Sequence, residues 1–126
     1  MPNYETEGFD PPAPVAMVTL RTPDGQTSLR DVAMLIDSGA DVSAIPESSL
    51  HRLGLTKQRR DYEVLAFDGS KIAAECVQCE LIFLRTVYRG VYLVVDQPAG
   101  YLGRDVLNHI SLVLDGPQLN WREAAP

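Results

Sequence analysis

Between residues 15 and 121 the chain is a succession of short apolar or alternating runs, broken by Gly, Pro and Asp turn signals, and only one segment reads as a proper helix. That spacing restricts the fold to an all-β sandwich or barrel, because short strands bury their apolar faces only against one another. The first strand covers residues 15–20, with Met17 and Met34 expected in the core. Pro23-Asp24-Gly25-Gln26 turns the chain back as a hairpin, and the return strand runs over about 28–36. An extended piece, Val42-Ser43-Ala44-Ile45, leads into a short helix. Pro46 is expected in its first turn, Glu47 near its N-terminus, Leu50 and Leu53 on its apolar side, and Gly54 at its end. Lys57-Gln58-Arg59-Arg60 reads as a solvated loop. Strands over 62–66 and 71–84 flank a hairpin tip, Phe67-Asp68-Gly69-Ser70. A strand over 87–95 follows, with a bulge expected at Arg89-Gly90. A helical turn at 105–108 and a hairpin over 110–121 complete the pattern, with Trp121 expected to pack against the barrel or a second copy.

The chain has 126 residues, enough for one domain that buries roughly two thirds of its unfolded surface. Residues 15–121 make up that domain. Residues 1–14, with Gly8, Pro11, Pro12 and Pro14, read as a flexible arm, and 122–126 as a tail. Eleven basic residues stand against 17 acidic ones, a net charge of −6, which argues against a nucleic-acid partner. There is no apolar run of membrane-spanning length and the first residues are polar and acidic, so no membrane partner and a cytoplasmic location are expected. Cys76 and Cys79 form a Cys-x-x-Cys, but a strand sends them to opposite faces and no further ligand lies nearby, so they read as ordinary reduced residues. His51 and His109 have no partner by spacing and read as structural.

The run Met34-Leu35-Ile36-Asp37-Ser38-Gly39-Ala40 carries the chemical information. A carboxylate at the end of a buried strand is costly unless paired or hydrogen-bonded. Ser38 offers a short hydroxyl, and Gly39 allows backbone to approach backbone. Asp-Ser-Gly-Ala alone is equally compatible with an ordinary Asx or Ser turn.

Two motifs in order narrow the choice. Leu35-Ile36 followed by Asp37-Ser38-Gly39-Ala40, and later Tyr101-Leu102-Gly103-Arg104-Asp105, make the chain similar to the retropepsin-like aspartic proteases, the single-domain relatives of pepsin. Tyr101 departs from the aliphatic residue usual there. The resemblance implies a closed β-barrel-like half with a flap hairpin, dimerising about a two-fold axis. It implies that Asp37 is the catalytic acid, that Ser38 braces the two loops across the dyad, that Gly39 admits substrate backbone and that Ala40 lines the cleft. It also implies an Asp41–Arg104 ion pair, in which a planar guanidinium fork is not replaceable by lysine. Gly103, Arg104 and Asp105 would brace the active-site loop, and Phe67, Asp68, Gly69 and Ser70 would form the flap tip. That tip has a single glycine where viral flaps are glycine-rich.

The implied activity is peptide-bond hydrolysis by water held between two aspartates, with no metal, cofactor or covalent intermediate. One chain supplies one Asp-Ser-Gly, so the activity requires a homodimer and a peptide or protein substrate. Two other readings compete: a module of the same fold that binds or assembles without turnover, and a generic β-sandwich in which the Asp-Ser-Gly is coincidental.

Overall fold

The computed structural model describes residues 2–65 and 71–125. Among them lie nine strands and two short helices. In chain order they are β1 (Val15–Arg21), β2 (Ser28–Ile36), β3 (Ala44–Pro46), α1 (Glu47–Leu53), β4 (Gln58–Leu65), β5 (Lys71–Phe83), β6 (Thr86–Val95), β7 (Gly100–Leu102), α2 (Arg104–Leu107), β8 (Leu112–Asp115) and β9 (Asn120–Glu123). No helix among the described residues is long and apolar enough to cross a membrane.

Six strands close on themselves in the order β1-β2-β7-β3-β6-β5, and β1 returns to β5. Closure depends on the 13-residue length of β5. One edge of β5 pairs with β6 from Cys76↔Leu93 to Phe83↔Thr86. The other edge is shared: its first half pairs with β4, and Glu80–Ile82 pair with Arg21–Thr19 of β1. The β4–β5 hairpin therefore extends beyond the ring, paired up to Leu65↔Lys71. The expected tip residues Phe67, Asp68, Gly69 and Ser70 lie outside the described residues.

Local chemistry accounts for the turns. Gly25 adopts φ +74°, a conformation open to glycine, and Asp24 Oδ1 accepts hydrogen bonds from the Thr22 hydroxyl (2.6 Å) and the Gln26 N–H (2.9 Å). Thr22 and Thr27 then close the hairpin through backbone. Helix α1 ends at Gly54, φ +71°, while Leu55 N–H reaches back to Leu50 O at 2.9 Å.

The barrel interior is filled by alternate residues: Ala16, Val18 and Leu20 from β1, Val32 and Met34 from β2, Val77, Cys79, Leu81 and Phe83 from β5, and Leu102 from β7. Trp121 caps this core. Its ring lies 5.9 Å from that of Phe83, and its indole N–H donates to Val15 O. The terminal hairpin β8–β9 is thus anchored to the barrel of its own chain.

Several expectations are corrected. Met17 is 54% exposed, because strand alternation that turns Ala16 and Val18 inward turns Met17 out. There is no bulge at Arg89-Gly90; the β5–β6 register runs unbroken through Glu80↔Arg89 and Cys79↔Gly90. The basic cluster is not all loop, since β4 begins at Gln58, and Lys57 bridges Glu47 (2.5 Å) and Glu75 (2.7 Å). Pro46 ends β3 in an extended conformation and caps α1 rather than entering its first turn. The N-terminal residues are tied down: Tyr4 N–H donates to Leu119 O, Trp121 N–H to Pro2 O, and Glu5 and Ala13 exchange a pair of backbone bonds. His51 and His109 are both exposed, the latter with its ring near Tyr88.

Cys76 and Cys79 are buried on opposite faces of β5 and unbridged. Burial pushes the Cys79 thiol up to about 12, so it holds little reactive thiolate near neutrality. Beside it, on the outer face, Glu80 is only 5% exposed and sits between Arg21 (2.6 Å) and Arg89 (2.5 Å), its cross-strand neighbours on β1 and β6. The Arg21 hydrogen bond holds the Glu80 carboxyl below the usual glutamate range; burial opposes this, and Arg89 adds to it. A carboxyl whose folded pKa is depressed stabilises the fold above its unfolded value, and that contribution is lost as pH falls through the folded value. Glu80→Gln is therefore expected to lower Tm near neutral pH and to flatten its fall between about pH 5 and pH 3. Parallel wild-type and variant melts across that range measure it, and superimposable acid limbs would remove Glu80 from the acid transition.

Candidate active site

The site is built where β7 is inserted between β2 and β3. It runs parallel to β2 (Met34↔Gly100, Leu35↔Tyr101, Ile36↔Leu102) and antiparallel to β3 (Ala44↔Tyr101). The β2–β7 ladder continues one step past the end of β2, with Asp37 N–H donating to Leu102 O at 3.0 Å. The backbone of Asp37 is thereby fixed to the barrel wall while its side chain, half-buried, lies on a turn.

Within that turn Gly39 N–H donates to Asp37 Oδ1 (2.9 Å), and Ala40 N–H donates to Asp37 O (3.2 Å). Ser38 and Gly39 are exposed and Ala40 is half-buried. A Cβ on Gly39 would stand 3.1 Å from Asp37 Oδ1, so glycine leaves room beside the carboxylate.

The second motif grips this turn from the other side. Arg104 N–H donates to Ala40 O at 2.9 Å. Its guanidinium spans the loop: Nη1 donates to Ser38 O at 2.7 Å, and Nη2 pairs with the Asp41 carboxylate. The two contacts use separate nitrogens of one planar fork, which an ammonium does not reproduce. Asp41 is largely exposed, so the Coulomb gain is small and the value of the contact lies in geometry.

Asp105 has a different partner. Its carboxylate accepts from Ser43 N–H (3.1 Å to each oxygen) and from the Ser43 hydroxyl (2.7 Å). Ser43 Oγ in turn accepts from Gly103 N–H at 2.9 Å. Ser43 is fully buried, and it is the residue that sequence reasoning missed. A signal was present: one hydroxyl inside the apolar piece Val42-Ser43-Ala44-Ile45 requires a partner if buried. Gly103 packs against the segment leading into β3 so closely that a Cβ would meet Ala40 O and Val42 C at 2.8 Å.

Asp37, Ser38, Gly39, Ala40 and Asp41 are thus brought together with Gly103, Arg104 and Asp105, across more than 60 residues of sequence. The Phe67–Ser70 segment falls outside the described residues. Ser43→Ala is expected to cost about 1–3 kcal/mol, since it strips the acceptor from a buried N–H and a donor from a carboxylate. Chemical denaturation measures it, and a midpoint unchanged from wild type would show that the Ser43 hydroxyl contributes nothing to stability.

A closed six-strand barrel with an extended hairpin, carrying Asp-Ser-Gly on a loop braced by Gly-Arg-Asp, defines the retropepsin-like class. A sequence model of aspartyl proteases matches residues 16–106, and the chain belongs to that family. Among solved structures, the fold is similar to EIAV protease complexed with the inhibitor HBY-793, at 20% identity, covering 77% of this chain and 86% of that one, with a TM-score of 0.56. It is also similar to the retroviral protease-like domain of Ddi1 from Leishmania major, at 18% identity, covering 90% of each chain, with a TM-score of 0.50. At these identities the likeness is one of fold. A search of curated proteins finds no match.

Proposed function

We propose that the chain is an aspartic endopeptidase acting as a homodimer, each subunit contributing one Asp37. The observation that carries this reading is the double fixation of the Asp37 turn, by Leu102 O on the barrel side and by Arg104 on the other. Such a turn presents its carboxyl in a set position, which water activation requires. Two carboxyl groups held within hydrogen-bonding distance share one proton, because both cannot ionise cheaply. The ionised one takes a proton from a water between them while the protonated one polarises the peptide carbonyl. Attack gives a tetrahedral diol, and its breakdown passes a proton to the leaving nitrogen.

Substrate lies extended in the cleft, adding strand-like hydrogen bonds beneath the β4–β5 hairpin, whose residues Phe67, Asp68, Gly69 and Ser70 are proposed as the flap tip. Strand β9 is engaged on both sides within its own chain, by β8 and by residues 2–4 of the N-terminal segment. The proposed dimer contact therefore falls at the Asp37 loops rather than at interleaved termini.

The test is cleavage of a peptide library from acidic to neutral pH, with specific activity followed against protein concentration and mass measured in solution. Specific activity that rises with concentration and saturates as dimer forms supports the reading. A stable monomer without cleavage at any pH would sink it, and a dimer that binds peptides without cutting them would establish the binding module instead.

A further inference from the structure

We propose that the open edge of β6, over Val87–Val91, docks an extended segment of a partner protein, one that carries an acidic residue with an apolar residue two positions to either side. Strand β6 pairs with β5 from Thr86 to Leu93, but with β3 only over Leu93–Val95. On the β3 side, Leu93 N–H donates to Ser43 O at 3.1 Å. Alternate residues of a strand turn their backbone groups to the same side. Val91, Arg89 and Val87 therefore direct N–H and C=O the same way as Leu93, beyond the end of β3. The next rung is missing for a chemical reason. Ser43 N–H, the donor in line for Val91 O, is taken by the Asp105 carboxylate at 3.1 Å to each oxygen. Among the described residues, no strand pairs with Val87, Arg89 or Val91 on this side.

These groups open onto a groove of about 460 Å³, with Val87, Arg89 and Val91 along one wall and Val42, Asp105 and His109 along the other. A second cavity of about 250 Å³ shares Tyr88 and His109 with it and continues it toward Leu84. Residues 37–41 line neither, so this surface is separate from the candidate catalytic loop. A row of alternating unpaired donors and acceptors is matched by another extended main chain.

The side chains beside the edge select which chain that is. Val87, Arg89 and Val91 share the outer face, since their β5 partners Ile82, Glu80 and Gln78 alternate with the core residues Leu81 and Cys79. Val87 and Val91 are half-buried. Arg89 touches Glu80 through Nε at 2.5 Å and is otherwise 75% exposed, which leaves the far side of its guanidinium open to a second carboxylate. A strand laid on this edge meets an apolar, a cationic and an apolar side chain in turn, and its complement is apolar, acidic, apolar at alternate positions. The same charge disfavours a second copy of this chain as the occupant. Two β6 edges paired antiparallel over Val87–Val91 would set Arg89 opposite Arg89.

The experiment uses the isotope-labelled full chain, as wild type and Arg89→Gln, with the fluorescent peptide Ser-Val-Thr-Glu-Thr-Val-Ser and a version with Lys in place of Glu. Anisotropy gives Kd, and amide hydrogen exchange read by NMR locates the peptide. In the free protein the amides of Val87, Arg89 and Val91 are expected to exchange faster than those of Tyr88, Gly90 and Tyr92, and the Glu peptide is expected to slow the first three. The Glu peptide should bind at least about fivefold more tightly than the Lys peptide, a ratio that falls below about twofold in Arg89→Gln. That variant keeps Arg21 on Glu80 and so keeps the fold. Backbone N-methylation of one alternate set of peptide residues should weaken binding at least about tenfold, and of the other set hardly at all. No binding at about 1 mM peptide overturns the inference, as does binding that leaves the three amides unchanged or protects residues 37–41 instead. Protection of the three amides that grows with protein concentration in the absence of peptide assigns the edge to a second copy and also overturns it.

Discussion

With Asp37 replaced by asparagine, peptide hydrolysis is expected to fall by at least about 10³-fold, while Tm stays close to wild type. Asparagine keeps the shape of the side chain and an oxygen that accepts from Gly39 N–H, the 2.9 Å contact that orders the turn. The Asp37 backbone bond to Leu102 O does not involve the side chain at all. Folding therefore loses little, within about 0.5 kcal/mol for a partly exposed position. Chemistry loses its proton acceptor, because an amide neither takes a proton from water nor shares one with a second carboxyl. Single-turnover peptide cleavage together with a thermal melt and a mass measurement separates the two effects. Turnover close to wild type in a folded dimer would take Asp37 out of the reaction.

Gly103→Ala is expected to act in the opposite way, on the fold first. The added methyl would stand 2.8 Å from Ala40 O, 2.8 Å from Val42 C and 3.0 Å from Ser43 N. All three are backbone atoms, so no rotamer change relieves the contact and the loop itself must move. Overpacking of this sort costs about 3 kcal/mol, or a Tm lower by roughly 10–15 °C for a domain of this size. Moving this backbone also disturbs the Gly103 N–H to Ser43 contact and the Arg104 grip on Ser38 O. Activity should therefore fall along with stability. Gly116→Ala, where the added methyl meets nothing within 4 Å, is the control and should stay within about 0.5 kcal/mol. Equal melts for the two variants would show that the loop accommodates a side chain at 103.

Much of the site was legible because its signals are local. Asp-Ser-Gly after an apolar strand, and Gly-Arg-Asp later, mark the two loops by composition alone. That Arg104 reaches Asp41 was implied by family resemblance, and the structure adds that its other nitrogen holds Ser38 O. Ser43 was not legible in the same way. A serine in an extended piece is unremarkable until burial obliges its hydroxyl to find partners, and those partners lie 60 and 62 residues away. The bulge expected at Arg89-Gly90 failed for a related reason. Glycine in a strand suggests irregularity, yet β5 pairs with β6 without a break from Cys76↔Leu93 to Phe83↔Thr86 and keeps the register.

The sequence alone determined the short strands, the Asp24-Gly25 hairpin, the Gly54 helix end and the position of Asp37 at a strand terminus. Each follows from periodicity or from the φ preference of a residue among its near neighbours. Tertiary structure alone decided that β1 closes on β5, that β7 slips between β2 and β3, and that the N-terminal segment docks beside Asp37 instead of hanging free. Those outcomes depend on which strand edges and backbone groups remain to be satisfied once the others have paired. Asp37 was visible from its neighbours in the chain; the loop that holds it exists only when the barrel is closed.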